Sequence, residues 1–382
     1  MFRNISQSSN LSILGRLSSI NYLLLSLIII LFLFGMLSLF SAAEGNFNSW
    51  PIKHLYRFTI GLVVFFILCI IDIKIIYRFA YPIFILSILF LIIVPFIGVE
   101  SYGATRWIKI AGTSLQPSEF VKFTIVLALA KHFHSITDET STFSGILIIP
   151  LVMIIIPVLI VAAQPDLGTA IIIFLGGVSI FWIVGLNYKY FIFGIFTTIA
   201  SIPLIWQYLH DYQKERIFTF FNPERDPLGN GYHIMQSKIA LGSGGIFGKG
   251  FLEGTQSHLN FLPEMHTDFI FTMYGEEFGF IGCVLLLIIY FCLIFLSIRM
   301  SLNSRSLFGK YLSLGVCSVF FIYVFVNISM VAGLLPVVGV PLPFISYGGS
   351  SMLAIMFGFG LLMNCYIHQR SILSKGKFFR KF

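Results

Sequence analysis

Hydrophobic residues in this chain are gathered into long runs separated by short polar breaks. A helix needs roughly 17–25 apolar residues to cross the hydrocarbon core of a bilayer. Ten runs meet that length, at about 22–42, 54–71, 79–97, 117–133, 146–163, 168–186, 188–206, 268–297, 309–332 and 349–367. The period-two alternation of a membrane barrel is absent, so helices are the structure that can satisfy its own backbone in lipid. The first run, Leu23 to Phe40, is longer than the roughly 7–15 residues of a signal-peptide core and reads as a span. The pattern predicts an all-α polytopic membrane protein with ten transmembrane helices. One interval breaks the rhythm: 207–267 is polar and forms a single long loop between helices 7 and 8.

Composition agrees. Of 382 residues, 57% are hydrophobic and 10% charged, against about 25% charged in soluble domains. The net charge of +8 is read as a topology signal. With the N-terminus in the cytoplasm, Arg3, Arg16, Lys74, Arg78, Lys131, Lys189, Arg299, Arg305, Lys310 and the basic tail 368–382 share one side. The short loops of the other side carry Lys53, Arg106 and Lys109. The positive-inside rule then puts both termini in the cytoplasm and the 207–267 loop outside. The tail's KGKFFRKF either lies on the anionic leaflet or acts as a stop-transfer anchor. No basic and aromatic patch points to nucleic acid. The five cysteines all lie inside apolar runs, with no disulfide framework or CxxC spacing. No repeat or soluble domain is visible, so residues 1–382 read as one integral membrane domain.

Five stretches carry candidate chemistry. NFLPEMHTDFIF, from residue 260, brings Glu264, His266, Thr267 and Asp268 to the entrance of the eighth run, with Glu276 and Glu277 just beyond. Charge at membrane depth is costly and marks functional sites. Asp268 is the candidate general base; His266 is an alternative base or a structural donor. The Glu264, His266 and Asp268 spacing also allows a metal site, although no second ligand cluster is visible. GATRWIKI, from residue 103, reads as an interfacial loop. It leads into QPSEFVK, where Pro117 opens a helix and Glu119 and Lys122 share one face, either as a helix-start ion pair or as cavity-facing groups. In QPDLGTA, Asp166 opens a helix, as a hairpin cap or in a functional role. The long loop contains an amphipathic YHIMQSKIAL helix that could lie on the membrane surface. Its glycine-rich GSGGIFGKG could form an anion-binding nest, with Arg216, Lys238 and Lys249 near in sequence. Finally GLLPVVGVPLPFISYGGSS, 333–351, reads as an irregular re-entrant segment walling a cavity. There Ser346, Ser350 and Ser351 either bind a polar head group or cap the next helix.

Taken together, GATRWIKI, QPSEFVK, QPDLGTA, NPERDPLGNGYHIMQSKIALGSGGIFGKG, HLNFLPEMHTDFIF and PLPFISYGGSS resemble, in order and spacing, the SEDS family of shape, elongation, division and sporulation proteins. The resemblance covers about residues 20–368 and is closer to the elongation branch than to the division branch. It implies a ten-span peptidoglycan glycosyltransferase of the bacterial inner membrane, acting on lipid II, a disaccharide-pentapeptide on undecaprenyl pyrophosphate. It implies a class B penicillin-binding protein as partner. The family's essential aspartate falls on Asp268, its span-four pair on Glu119 and Lys122, and its span-two arginine on Arg57. No cofactor is required, although a divalent cation such as Mg2+ is compatible. Asp268 would deprotonate the acceptor hydroxyl, and Arg57, Lys122, Lys238 and Lys249 are candidates to stabilise the leaving pyrophosphate. Three other readings remain: a lipid II flippase, a division-type polymerase, and a noncatalytic scaffold. A flippase needs a polar path at the midplane, whereas the ionisable residues here gather at one edge.

Overall fold

The computed structural model describes residues 12–101, 104–110, 113–136, 144–209, 211–226, 229–255, 265–371 and 373. Glu264 and most of the basic tail lie outside the described residues. The helices are α1 Ile13–Ser18, α2 Tyr22–Ala42, α3 Trp50–Ile70, α4 Ile73–Ile97, α5 Pro117–Ser135, α6 Ile149–Ala163, α7 Leu167–Val184, α8 Tyr188–Tyr208, α9 Asp211–Phe221, α10 Asn230–Ser243, α11 Ile270–Leu302, α12 Leu307–Val331 and α13 Gly349–Ile367. Short polar residues start many of them: the side chains of Asn21, Asp72, Asp166, Asn187 and Ser306 each accept a backbone N–H of the first turn. Pro51 and Pro117 sit in first turns, where no donor is lost.

Among the described residues, eight helices are long and apolar enough to cross a membrane: α2, α3, α4, α6 with the turn before it, α7, α11, α12 and α13. Helices α5 and α8 cover the two remaining expected spans. α5 falls short on apolarity because it carries Glu119, Lys122 and Lys131. It tolerates them because it packs against α4, α7, α12 and α13 and is buried on nearly every side. α8 is the opposite case, with no buried residue among those described. The central helices approach closely through small residues. A Cβ at Gly176 of α7 would meet Val319 of α12 at 2.9 Å, and one at Gly61 of α3 would meet Met356 of α13 at the same distance.

One expectation needs correction. The stretch read as an interfacial loop is a small antiparallel sheet, β1 Val99–Ser101, β2 Ala104–Ile110 and β3 Thr113–Leu115, with Val99 opposite Trp107 and Ile108 opposite Leu115. Its β-branched and aromatic residues favour strands, so the fold is all-α only in its bundle. The long polar interval holds the expected helix at 232–241, within α10, and a further helix, α9, that was not expected. One face of α10 packs against α11 and α12. There Ser237 bonds Thr272 at 2.8 Å and donates to the Val331 carbonyl at 2.8 Å.

The eighth span is broken. α11 adopts a non-helical φ of 66° at Gly279. The glycine-rich segment after α10 docks on the break: Lys249 and Gly250 donate backbone N–H groups to the Glu276 and Glu277 carbonyls at 3.0 and 3.1 Å. The N–H groups of Phe280 and Ile281 donate to Gly245 and Ile246 at 2.9 and 3.1 Å. Gly248, at φ +84°, lies against the Glu277 carbonyl, where a Cβ would overlap it. Residues 280–302 beyond the break make about 35 Å of helix at 1.5 Å per residue, enough for a span by themselves. Glu276 and Glu277 therefore sit on a short lead-in piece rather than in the apolar helix.

Segment 332–348 is irregular, as expected, with positive φ at Gly333, Gly339 and Phe344. Its backbone is satisfied by side chains from the bundle: Tyr290 donates to the Pro343 carbonyl at 2.6 Å, His54 to that of Phe344 at 3.1 Å, and Asn327 to that of Val340 at 2.6 Å. Non-helical backbone survives at this depth only with such partners.

Candidate active site

Asp268 lies on the turn that precedes α11, half-buried. Its backbone carbonyl accepts from Asn327 Nδ2 at 2.9 Å. Its carboxylate faces Gly339, where a Cβ would stand 3.3 Å from Oδ2. Thr267 and His266 share the turn. The His266 ring stacks on Trp50 of α3, with centroids 4.3 Å apart and planes 9° from parallel. The His266 carbonyl accepts from the Tyr347 N–H at 2.9 Å. Tyr347 in turn lies under the Arg57 guanidinium, 4.2 Å from ring centroid to Cζ. Arg57 Nη1 is buried without a hydrogen-bond partner among the described residues. The turn that bears His266 and Asp268 is thus linked to Arg57, far away in sequence, through Trp50 and Tyr347. Beside them is a cleft of about 190 Å³ lined by Glu44, Asn46, Ser49, Trp50 and Met265, among others.

Glu119 and Lys122 form a second centre, closed on itself. Lys122 Nζ donates to Glu119 Oε1 at 2.7 Å and to the Tyr323 hydroxyl at 2.6 Å. Tyr323 completes the ring by donating to Glu119 Oε2. All three are buried, with Lys122 only 1% exposed.

Asp166 caps α7, accepting from the Thr169 N–H at 3.2 Å, and also accepts from Gln116 Nε2 at 3.1 Å. Arg106 of β2 pairs with it at 3.7 Å and donates to the Gln164 and Pro165 carbonyls at 3.3 and 2.5 Å. Ser350 Oγ accepts from the Gln116 N–H at 2.7 Å and donates to the Ser114 carbonyl at 3.3 Å. Ser346 Oγ accepts from the Leu342 N–H at 2.7 Å. These three candidates are engaged in holding the sheet, α7 and the 332–348 segment together.

The basic candidates of the long interval separate. Lys249 Nζ lies 2.7 Å from Glu276 Oε1 and donates to Thr255 at 2.7 Å, while its glycine neighbours bond α11 rather than forming an open nest. Arg216 donates to the Val337 carbonyl at 3.4 Å. Lys238 is exposed, with its amine beside Gly333. Among the described residues no three His, Cys, Asp or Glu side chains gather as a metal group.

Sequence reasoning passed over Trp50, Tyr347, Tyr323 and Asn327. Asn327 had a signal, as a lone amide inside an apolar run. Tyr323 had none, since it meets Glu119 only through folding.

A family model described as a cell cycle protein matches residues 17–371. The chain is 40% identical to the peptidoglycan glycosyltransferase MrdB of Escherichia coli K12, over 92% of this chain and 94% of that one. It is similar in fold to a chain of a peptidoglycan synthase complex that coordinates polymerization and crosslinking. The TM-score is 0.80 at 28% identity, with 92% of this chain and 98% of that one covered. The Thermus thermophilus rod shape determining protein RodA matches with a TM-score of 0.69 at 25% identity, over 91% and 96% of the two chains. With its motifs in family order on the family's fold, the chain belongs to these cell cycle proteins, the SEDS family.

Proposed function

We propose that the chain is a peptidoglycan glycosyltransferase that polymerises lipid II during cell elongation, with Asp268 as general base. The activity rests on the similarity to MrdB over nearly the whole chain. The observation that supports the site is the turn bearing Asp268, which is tied through the His266 carbonyl to Tyr347, the ring on which Arg57 rests with Nη1 lacking a hydrogen-bond partner among the described residues.

In this reading the Asp268 carboxylate takes the proton of the acceptor sugar's 4-hydroxyl. That oxygen attacks the anomeric carbon of the lipid-linked donor, and the bond to the pyrophosphate oxygen breaks. The undecaprenyl pyrophosphate leaves with the bonding pair, so configuration inverts and no covalent enzyme intermediate forms. General-base assistance contributes about 10²–10⁴-fold. Developing charge on the leaving group is best met by a preorganised cation with no internal counterion. Arg57 fits that role best, and Lys238 is second. Lys122 and Lys249 already have carboxylate partners and act in shaping the site. No cofactor is needed, and a divalent cation such as Mg2+ on the pyrophosphate is compatible with the chemistry.

The protein sits in the bacterial inner membrane with ten spans, α5 and α8 being two of them. Both termini are cytoplasmic and the site faces outward. The lipid tail enters sideways near α8, which buries none of its described residues. The partner is a class B penicillin-binding protein that crosslinks the new strands, in line with the synthase complex that the fold resembles.

The test is lipid II polymerisation by the purified protein with that partner, comparing wild type and Asp268→Asn, with thermal stability and partner binding measured in both. Loss of polymer with folding and binding intact is expected. Normal polymerisation would remove Asp268 from the chemistry and reopen His266, Glu264 or a transport role.

A further inference from the structure

Asn327 sits in the last part of α12, at 0% exposure, in an otherwise apolar run. An amide buried at that depth is costly unless its hydrogens are bonded. Both hydrogens of Nδ2 are used, one on the Asp268 carbonyl at 2.9 Å and one on the Val340 carbonyl at 2.6 Å. Those carbonyls belong to the two irregular pieces of backbone that face each other across the site. One is the turn before α11 and the other is the 332–348 segment. The two pieces are also joined by the Tyr347 N–H on the His266 carbonyl at 2.9 Å, but the Asn327 fork is the bond on Asp268 itself, whose carboxylate lies against Gly339, the neighbour of Val340.

A second asparagine makes the same fork elsewhere. Asn364 of α13, also 0% exposed, donates Nδ2 to the Leu68 and Ile71 carbonyls at 2.7 Å each. In both residues Oδ1 is buried without a hydrogen-bond partner among the described residues. Asn364 joins the end of α3 to α13, away from the site, so it shows what the fork does when it only holds elements together. The two differ in what they hold.

We propose that Asn327 is a positioning residue for glycosyl transfer: by clamping the Asp268 turn to the Gly339–Val340 backbone, it aims the base. This rests on Asp268 being the general base. Loosening the clamp lets the carboxylate drift relative to the acceptor hydroxyl, and a displacement of about 1 Å can cost on the order of 10²-fold in rate. Lipid II makes its binding contacts with other groups, so the loss falls on kcat and not on KM.

The experiment compares Asn327→Asp, Asn327→Ala, Asn364→Ala, Asp268→Asn and the double variant Asp268→Asn with Asn327→Ala, each assayed in complex with the transpeptidase. Rates are normalised to folded protein. Asn327→Asp keeps the side-chain shape but turns two donors into acceptors facing carbonyls. Both Asn327 variants should lose kcat by about 10–10²-fold with KM for lipid II unchanged. Asn364→Ala should lose thermal stability but keep its kcat. The double variant should be no slower than Asp268→Asn alone, since residues that act as one unit do not add. If the Asn327 variants keep wild-type kcat, or raise KM instead, the positioning role is overturned. A double variant slower than Asp268→Asn overturns it as well. If Asp268→Asn itself polymerises normally, the general-base reading has failed, whatever Asn327 does.

Discussion

The molecule holds two ionic centres, and they are built on opposite principles. In the Glu119, Lys122 and Tyr323 ring every charge has its counterion or hydroxyl within the protein, and all three groups are sealed from solvent. Around Asp268 the groups are only partly enclosed: the base is half-buried, and Arg57 rests on an aromatic face with Nη1 lacking a hydrogen-bond partner among the described residues. A closed ring cannot take a ligand without breaking itself, whereas the Arg57 guanidinium has a donor to offer one. In a sequence, EFVK and HTD both look like ionisable groups at a span entrance. The difference lies in who their partners are.

Breaking the ring tests the first half of the comparison and should have the largest effect on folding. Lys122→Met strands a buried carboxylate and should cost roughly 3–5 kcal/mol of stability, read as thermal unfolding in detergent. Adding Glu119→Gln should recover part of it, because the uncompensated charge is gone. A stable Lys122→Met that has lost only polymerisation would move Lys122 from the scaffold into the chemistry.

Arg57 tests the second half. Arg57→Ala should fold normally and lose polymerisation by on the order of 10²-fold, about 2.7 kcal/mol, as removal of one preorganised donor does elsewhere. Arg57→Lys keeps the charge but not the planar stack on Tyr347 and should recover only part of the rate. Equal loss of stability in both would show that Arg57 belongs to the scaffold.

The break in α11 gives a smaller effect, confined to stability. Gly248→Ala forces a Cβ into a left-handed backbone, at roughly 1–2 kcal/mol, and against the Glu277 carbonyl. Unfolding should occur at lower temperature, with activity per folded molecule retained.

These contrasts show what was legible in the chain. The bundle was, because apolar runs and their capping residues act locally: Asp166 opens α7 and Pro117 opens α5, as their spacing predicts. Asp268 stood out as a candidate through the cost of charge in lipid and through resemblance, Arg57 through resemblance alone. The sheet at 99–115 was hidden because β1 and β3, at three residues each, are too short to carry a period. The glycine segment misled for a clear reason. Glycines permit both an anion nest and a close approach to another backbone, and only the tertiary partner, the break at Gly279, decides between them. Tyr323 and Tyr347 depend on contacts between elements that no local pattern records.

Asp166 makes the sharpest test, since a small effect is expected where a large one is expected at Asp268. Both are acids just before a helix, in motifs that carry the resemblance. Asp166 is used up by structure: it caps α7 at Thr169, accepts from Gln116 and pairs with a partly exposed Arg106. Asparagine caps a helix about as well as aspartate, and Gln116 can turn its amide to present oxygen to it. Arg106 keeps its two carbonyl partners, so what is lost is one partly exposed ion pair, within about 1 kcal/mol. Asp166→Asn should therefore polymerise lipid II at close to the wild-type rate while Asp268→Asn does not. If Asp166→Asn abolishes polymer and still folds, its carboxylate takes part in the reaction, and the open centre extends along Gln116 and Ser350 toward the sheet.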